Sequence, residues 1–325
     1  MDSNEEVLRF LKNTKGYVSG EKIAEELNIS RAAVWKRVGR LKKEGFLIDA
    51  EPRLGYRLLI PPDKLLPMEI KDGLRTDYIG QEIIYCPKTE STNMIARNLA
   101  IDGAVEGTLV IAEEQTKGRG RLDRGWISPA GKNILMSLIF RPEFFPRQVF
   151  FLTMLSSLSV IRAIKKITSL EAHVKWPNDI YMEYKKMGGI LTEFSAEQDR
   201  VNYVIIGMGI NVNFDPSLFP EIRDIATSIS RVHKKDVSRI DLLRAILEEM
   251  ERGYYALKQG RIDEIREEWD QCSLIKGREV IITSFDSIIE GTAESMDEDG
   301  CLIIRERRGQ RKKIVSGDVS LRLKE

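Results

Sequence analysis

Residues 118–126, with the sequence GRGRLDRGW, contain the groups best suited to holding an anion. Three glycines let the backbone bend and approach a ligand closely. Three arginines within six residues offer planar, permanently charged groups that bind phosphate or carboxylate through paired hydrogen bonds. We expect this loop to be mobile when empty and ordered when an anion neutralises it. A solvated basic loop is the alternative for the same composition.

Four further motifs place polar and charged side chains along the middle of the chain. They are ESTN at 90–93, KWPND at 175–179, KMGGIL at 186–191 and GMGINVN at 207–213. Each motif alone is weak evidence. For example, the motif at 207–213 is also compatible with a plain turn. Lys185 and Lys186 are each also compatible with a solvated lysine at the end of a strand. The order and spacing of the whole set carry the argument.

A frame of strands and helices must position these motifs. The predicted strands cover 83–85, 109–112, 133–140, 174–176, 179–181, 187–194 and 203–207, and the predicted helices cover 92–100, 149–166 and parts of 236–270. The basic loop therefore joins two strands, which give a mobile segment a rigid frame. The strands at 187–194 and 203–207 are expected to pair antiparallel.

The first 60 residues form a separate pattern of short amphipathic helices. Ser30 is suited to cap a helix over residues 31–43, whose apolar positions recur on one face. From Ser30 to Lys43 there are six basic residues and no acidic ones, namely Arg31, Lys36, Arg37, Arg40, Lys42 and Lys43. Two predicted strands follow, at 46–48 and 55–59, with Arg53 in the loop between them. This pattern predicts a winged helix-turn-helix, and a protein-interaction module is the alternative.

Residues 271–325 differ in character from the middle of the chain. Five short apolar runs, at 279–282, 287–289, 301–304, 313–315 and 319–323, are separated by turn residues. This spacing predicts a small five-stranded barrel or sandwich. We recognise no catalytic set of residues in it.

The overall composition restricts the class of protein. The net charge is only +1 over 325 residues, so any DNA binding must come from a local basic patch. Three scattered cysteines and two histidines predict free thiols in a reducing cytoplasm and no His/Cys metal site. The N-terminus has no signal-peptide pattern, and we expect no run of membrane-spanning length.

In this order and at these spacings, the five motifs resemble those of the biotin protein ligases. With the N-terminal helix-turn-helix, the whole chain resembles the bifunctional ligases that also repress biotin genes. The resemblance implies an α+β protein of three domains. These are a winged helix-turn-helix at 1–62, a mixed α/β catalytic domain at 63–270 and an SH3-like β-barrel at 271–325.

The resemblance also implies the reaction. ATP activates the biotin carboxylate to biotinyl-5′-AMP, and the acyl group then passes to a lysine of a biotin carboxyl carrier protein. Neither step needs a nucleophile from the enzyme, so catalysis rests on positioning and on charge stabilisation. Mg²⁺ is expected with ATP, and Asp179 is its predicted partner.

Site residues carry over from the motifs in three sets. The catalytic residues would be Lys186, Arg121 and Arg119. The biotin site would comprise Ser91, Thr92, Asn93, Gln115, Arg119, Gly120, Arg121 and Lys186. The nucleotide site would comprise Arg121, Trp126, Lys175, Asn178, Asp179 and Asn211, with residues 213–227 as a lid. Asp123 departs from the family, which more often has glycine there, and this bears on how the loop turns.

Partners follow from the same resemblance. Operator DNA would contact Arg31, Lys36, Arg37, Arg40 and Arg53, and a homodimer would form through the strand at 189–194 when the adenylate is bound. A ligase with a non-regulatory N-terminal domain and a lipoate-type ligase are the main alternatives. A ligand-sensing transcription factor would not need Lys186 and Arg121 together.

Overall fold

The computed structural model describes residues 3–59, 63–283, 288–315 and 317–321. The chain divides into two compact units, Met1–Asp72 and Gly73–Glu325. The proline pair at 61–62, which the sequence predicts as a stiff link, lies outside the described residues.

The first unit contains the predicted helix-turn-helix and wing. Its elements are α1 (Ser3–Asn13), α2 (Gly20–Glu26), α3 (Arg31–Lys43), β1 (Ile48–Glu51), β2 (Gly55–Leu58) and α4 (Pro67–Lys71). Ser19 and Ser30 cap α2 and α3 by accepting hydrogen bonds from the backbone N–H groups of Lys22 and Ala33. The strands β1 and β2 form an antiparallel hairpin, as predicted.

The first wing strand begins later than the sequence predicted. Phe46 was expected to start it, but the Phe46 N–H still bonds to the Leu41 carbonyl at the end of α3. Gly45 has a φ of 101°, which only glycine adopts without strain and which ends the helix. Phe46 therefore still completes the helix terminus, and β1 starts at Ile48.

The second unit begins with a mixed sheet and its helices. The elements are β3 (Ile83–Cys86), α5 (Thr92–Ile101), β4 (Leu109–Ala112), β5 (Ile134–Phe140), α6 (Val149–Thr168), β6 (His173–Lys175), β7 (Asp179–Met182), β8 (Lys185–Glu197), β9 (Arg200–Ile210), α7 (Ile229–His233), α8 (Arg239–Lys258) and α9 (Ile262–Gln271). The sheet order is β3-β4-β5-β9-β8-β7-β6. The pair β3/β4 is parallel, and the remaining pairs, including the predicted pair β8/β9, are antiparallel.

Helices α5 and α6 cover opposite faces of this sheet. The Thr192 hydroxyl of β8 lies 2.7 Å from the Thr153 hydroxyl of α6, whereas its neighbour Glu193 accepts a hydrogen bond from Asn93 of α5. Successive strand residues point to opposite faces, so these two contacts assign the faces. The predicted site motifs lie on the α5 face.

Helix α6 is a long and largely apolar helix. Residues Pro146–Thr168 are long and apolar enough to cross a membrane by length and composition, contrary to the expectation from sequence. However, 78% of the apolar window is buried inside the fold, with α8 packed against it. The apolarity of α6 is therefore that of a core helix.

The C-terminal strands form a five-stranded antiparallel sheet, as the sequence predicted. They are β10 (Glu279–Thr283), β11 (Ile288–Met296), β12 (Leu302–Arg305), β13 (Arg311–Ile314) and β14 (Asp318–Leu321), in the order β13-β12-β11-β10-β14. Strand β11 is longer than predicted and has a bulge between Ala293 and Ser295. The predicted strand residues Ser287, Arg322 and Leu323 lie outside the described residues.

Candidate functional site

An inner cavity of about 100 Å³ opens on the α5 face of the sheet. The eight residues predicted for the biotin site all line it, namely Ser91, Thr92, Asn93, Gln115, Arg119, Gly120, Arg121 and Lys186. They come from the start of α5, from the segment after β4 that holds Gln115 and the basic loop, and from β8, which are far apart in sequence. The fold thus brings together the set that the motifs predicted.

The floor of this cavity is a connected hydrogen-bond network. The Gln115 Oε1 atom accepts from the Thr92 backbone N–H at 2.7 Å. The Ser137 hydroxyl, fully buried on β5, lies 2.8 Å from the Thr92 hydroxyl and 2.6 Å from Asn93 Oδ1. Because buried polar groups need partners, this network fixes the rotamers of the residues that face the cavity.

A serine directly before a helix is expected to cap it, but Ser91 does not cap α5 in this way. It occupies the N-cap position with extended backbone but makes no capping hydrogen bond with its side chain. Gln115 takes that role through its bond from the Thr92 N–H. The Ser91 hydroxyl is therefore not needed for the helix and lines the cavity.

Two glycines of β9 make room for side chains of the site rather than for a ligand. A Cβ atom at Gly207 would overlap the Asn93 side chain, and one at Gly209 would lie 2.7 Å from Trp126 Cε2. Both positions face α5. Glycine at these two positions therefore allows close approach, and the approaching groups are the side chains of Asn93 and Trp126.

The basic loop at 118–126 is folded into a narrow hairpin. Arg119 and Gly125 form an antiparallel bridge, and the Gly120 N–H donates to the Arg124 carbonyl at 2.7 Å. The turn residue with left-handed backbone is Leu122, with a φ of 55°. Asp123, the departure noted in the sequence, follows it, and its side chain lies outside the described residues.

A larger outer cavity of about 480 Å³ adjoins the inner one. Five of the six predicted nucleotide residues line it, namely Trp126, Lys175, Asn178, Asp179 and Asn211. The sixth, Arg121, lines the inner cavity and lies 3.5 Å from both Asn178 Oδ1 and the Gly317 carbonyl. Gly317 belongs to the C-terminal segment, which therefore contacts the basic loop.

The two cavities meet at a small set of charged and aromatic residues. Both are lined by Arg124, Gly125, Trp126, Asn178, Asp179 and Lys186. At this junction Lys186 Nζ lies 2.6 Å from Asp179 Oδ1 and 5.7 Å from the centre of the Trp126 ring. The neighbouring Lys185 lines neither cavity and lies near the Arg223 carbonyl at 3.4 Å.

The predicted lid, residues 213–227, is held against β8. The Lys186 N–H donates to the Ile225 carbonyl, and the Thr227 N–H donates to the Lys186 carbonyl, each at 2.9 Å. Ile222, Ile225 and Ala226 line the outer cavity. Asn211 anchors this segment, because its amide donates to the Thr227 carbonyl and accepts from Asn133.

Sequence reasoning missed two residues of the network. Ser137 lies within an apolar strand, and Glu193 is a charged residue in a strand predicted to pair. Neither belongs to a motif, and only the pairing of β8 and β5 with β9 places them beside Asn93. No local sequence signal identifies Ser137 and Glu193, because their role depends on contacts between strands that are distant in sequence.

Helix α3 of the first unit presents a basic face. Arg31, Lys36, Arg40, Lys42 and Lys43 are exposed, as predicted, and Trp35 among them is 72% exposed. Arg37 is different, because its guanidinium lies 4.0 Å from the Glu6 carboxylate and only 17% of its side chain is exposed. The lack of acidic residues in 30–43 predicts that no acidic group neutralises the basic residues of α3, and this prediction is wrong at Arg37, because Glu6 comes from α1.

Three protein families match successive parts of the chain. Residues 4–57 match an HTH domain family, residues 85–211 the biotin/lipoate A/B protein ligase family, and residues 276–322 the biotin protein ligase C-terminal domain. Their order is the order of domains that the sequence predicted.

Whole-chain relatives agree with these matches. The chain is 40% identical to the bifunctional ligase/repressor BirA of Bacillus subtilis over 94% of both chains. It is 27% identical to the protein of the same name from Escherichia coli, over 94% of this chain and 92% of that protein. Among solved structures, the biotin protein ligase of Aquifex aeolicus in complex with biotin and ATP is 31% identical. Its TM-score is 0.65, and the match covers 74% of this chain and 99% of that one. The chain belongs to the bifunctional ligase/repressor family of biotin protein ligases.

Proposed function

We propose that this chain binds biotin in the inner cavity and ATP in the outer cavity, and joins them to form biotinyl-5′-AMP. The observation that carries the proposal is the junction at Lys186 and Asp179, where the two cavities meet. A carboxylate at the mouth of the inner cavity and an α-phosphate in the outer one would be adjacent there. Binding two reactants in adjoining sites supplies the orientation that this reaction needs.

Neither half-reaction needs a nucleophile from the enzyme. In the first, a biotin carboxylate oxygen bonds to the α-phosphorus and pyrophosphate leaves. In the second, the amine of the acceptor lysine bonds to the acyl carbon, AMP leaves, and the nitrogen loses a proton. Arg119, Arg121 and Lys186 border the reacting position and offset the negative charge that develops on it.

The inner cavity suits the ureido head group of biotin. That group is neutral, with two N–H donors and one carbonyl acceptor, and burial of an unpaired polar group costs ~1–3 kcal/mol. Ser91, Thr92, Asn93 and Gln115 supply hydroxyl and amide partners on the cavity wall. The structure of the Aquifex relative with biotin and ATP supports the same pair of ligands.

Mg²⁺ fits the junction as an ion held mainly by the nucleotide. Among the described residues, no group of three or more His, Cys, Asp or Glu side chains could hold a metal ion. Asp179 supplies one carboxylate and Asn178 one amide oxygen, and Mg²⁺ in nucleotide sites commonly takes its remaining ligands from phosphate and water. The ion would neutralise phosphate charge at the position where pyrophosphate leaves.

Mass spectrometry of the purified protein tests this activity. We expect biotinyl-5′-AMP after incubation with biotin, ATP and Mg²⁺, and a mass increase of one biotinyl group on an added biotin carboxyl carrier domain. Lipoate replaces biotin in a parallel reaction, because the matching family includes lipoate ligases. Transfer of lipoyl but not biotinyl groups would overturn the proposal.

We further propose that the chain represses biotin genes as an adenylate-bound homodimer in the cytoplasm. One small winged helix makes few DNA contacts, so two half-sites read by a dimer are needed for useful affinity. The predicted pairing strand, 189–194, needs correction at its start. Gly189 pairs with Asp179 of β7, and the Ile190 N–H donates to the Asn178 carbonyl.

Beyond Ile190 the strand fits the proposal better. Strand β7 begins at Asp179, opposite Gly189, and runs away from residues 191–197 of β8, which pair with β9 on one side. Two copies of such an open edge can pair about a two-fold axis. Sedimentation velocity with and without biotin and ATP tests this, and a monomer under both conditions would exclude adenylate-controlled pairing.

A further inference from the structure

Glu193 lies on β8 beside the inner cavity but belongs to none of the site motifs. Its Oε2 atom accepts a hydrogen bond from Asn93 Nδ2 at 2.8 Å, and its Oε1 atom lies 3.7 Å from the Arg97 guanidinium. The Glu193 side chain is 38% exposed, whereas Asn93 is only 6% exposed. A half-exposed carboxylate therefore holds a buried amide of the site.

The carboxylate determines which way the Asn93 amide faces. An ionised carboxylate only accepts hydrogen bonds, so Asn93 must direct its NH₂ group toward Glu193. The same nitrogen lies 3.4 Å from the Leu191 carbonyl, a second acceptor. The opposite orientation would place Asn93 Oδ1 against two acceptors, which is unfavourable.

With the NH₂ group so directed, Asn93 Oδ1 faces the other side. It accepts from the Ser137 hydroxyl at 2.6 Å, and an amide oxygen has a second lone pair. Asn93 lines the inner cavity, and the close packing against Gly207 leaves the side chain little room to move. The cavity is thus offered a hydrogen-bond acceptor at this position.

We propose that Glu193 is a positioning residue that makes Asn93 an acceptor for a ureido N–H of biotin. This rests on the proposed binding of biotin in the inner cavity. Glu193 itself does not line that cavity and acts through Asn93. Without the carboxylate, only the 3.4 Å contact with the Leu191 carbonyl opposes a 180° flip of the amide. Such a flip exchanges the amide oxygen and nitrogen within the same space, and the NH₂ group then presented repels an N–H donor and pairs only with the ureido carbonyl.

A double-mutant cycle tests the proposal. The variants are Glu193→Ala, Asn93→Ala and the pair, with Glu193→Gln as the conservative change and Arg97→Ala as the control that removes the other Glu193 partner. Biotin affinity is measured by calorimetry, and KM for biotin, KM for ATP and kcat by adenylate formation. All measurements use concentrations at which each variant is monomeric, because Glu193 lies on the open edge of β8.

We expect Glu193→Ala to weaken biotin binding ~10-fold, the scale of one hydrogen bond, with KM for ATP and kcat within twofold of wild type. Glu193→Gln should fall between wild type and Glu193→Ala, because its amide oxygen still accepts from Asn93. In the Asn93→Ala background the Glu193 change should add nothing, since Glu193 acts through Asn93. Arg97→Ala should leave biotin affinity unchanged.

Several results would overturn the inference. One is unchanged biotin affinity in Glu193→Ala or in Asn93→Ala, and another is additive effects of the two changes in the double variant. A third is a rise of KM for ATP equal to that of KM for biotin, which would indicate general disruption of the site. Far-UV circular dichroism identifies any variant that fails to fold, and Glu193→Gln then decides, with wild-type biotin affinity counting against the inference. If wild type forms no adenylate from biotin, the proposed function itself fails, which is a separate result.

Discussion

Lys186 and Asp179 form an ion pair of 2.6 Å at the junction of the two cavities. The Lys186 side chain is 34% exposed and the Asp179 side chain is 22% exposed. The pair holds the Lys186 ammonium at this junction and neutralises its charge. Phosphate and Mg²⁺ would each supply a new partner of opposite charge to one member of the pair, so ligand binding can separate them without leaving a bare charge.

Lys186→Ala should slow adenylate formation by ~10² or more, the scale for loss of one preorganised electrostatic group. Lys185→Ala is the matched control, because that side chain lines neither cavity. The measurement is a single-turnover assay with biotin and labelled ATP. Wild-type rates in Lys186→Ala, or equal losses in both variants, would contradict a catalytic role for Lys186.

Arg121→Ala should shorten the time for which the adenylate stays bound. Its guanidinium lies 3.5 Å from Asn178 Oδ1 and from the Gly317 carbonyl, and a phosphate would replace these weak contacts with charge-assisted ones. Loss of adenylate is followed by chase with unlabelled ligand. Unchanged release from Arg121→Ala would show that the loop arginine does not retain the intermediate.

Trypsin should cut the basic loop more slowly when the adenylate is bound. Arg119, Arg121 and Arg124 are potential cleavage sites, and ligand contacts to the loop oppose the local unfolding that cleavage requires. Peptide mapping with and without biotin and ATP measures the three sites separately. Equal cleavage in both states would argue against ordering of the loop by ligand.

Charge reversal on the exposed face of α3 should abolish specific operator binding and leave ligation intact. Arg40→Glu and Lys36→Glu are the informative changes, since both side chains are exposed. Arg37→Glu is unsuitable, because it would place a second carboxylate beside that of Glu6 and destabilise the fold. Arg307→Glu is the control, because Arg307 is exposed in the turn between β12 and β13. Operator binding at moderate salt should fall by at least ~10² in the α3 variants only.

Phe194→Lys should prevent the proposed pairing of β8 edges. Phe194 is 49% exposed on residues 191–197, and lysines on open edges oppose strand pairing through charge and hydration. Phe145→Lys is the control, because Phe145 has a similar exposure of 51% outside this edge. Sedimentation velocity with adenylate should show dimers for the control and monomers for Phe194→Lys. Dimers in both would place the interface elsewhere.

Protonation of Glu106 should make the fold less stable in acid. Burial raises the pKa of this carboxyl, but hydrogen bonds from Lys258 and Tyr254 outweigh it and hold the pKa below its ordinary value. Folding thus favours the ionised form of Glu106. Its contribution to the free energy of unfolding is present above the ordinary pKa and is lost as the pH falls through the lowered pKa of the folded protein. Urea unfolding from about pH 7 to about pH 3 should show a smaller loss for Glu106→Gln than for wild type.

The sequence predicted elements where local rules suffice. Ser30 and the apolar spacing after it defined α3, and the motifs identified the residues that line both cavities. Local rules could not place Glu193 beside Asn93, because the two lie on different elements and meet only through strand pairing. Likewise, Arg37 belongs by spacing to a basic helix, and only the packing of α1 brings Glu6 to it.

The backbone of Lys186 binds the predicted lid, residues 213–227, and its side chain lies at the junction of the two cavities. Both of its hydrogen bonds, to Ile225 and from Thr227, must break before the outer cavity opens on that side. If residues 213–227 cover a bound acyl-adenylate as proposed, its exchange with solvent would require a local opening of the chain in addition to diffusion. A lifetime lengthened in this way protects a hydrolysable anhydride, and it gives a slow partner, whether an acceptor protein or a second subunit, time to arrive.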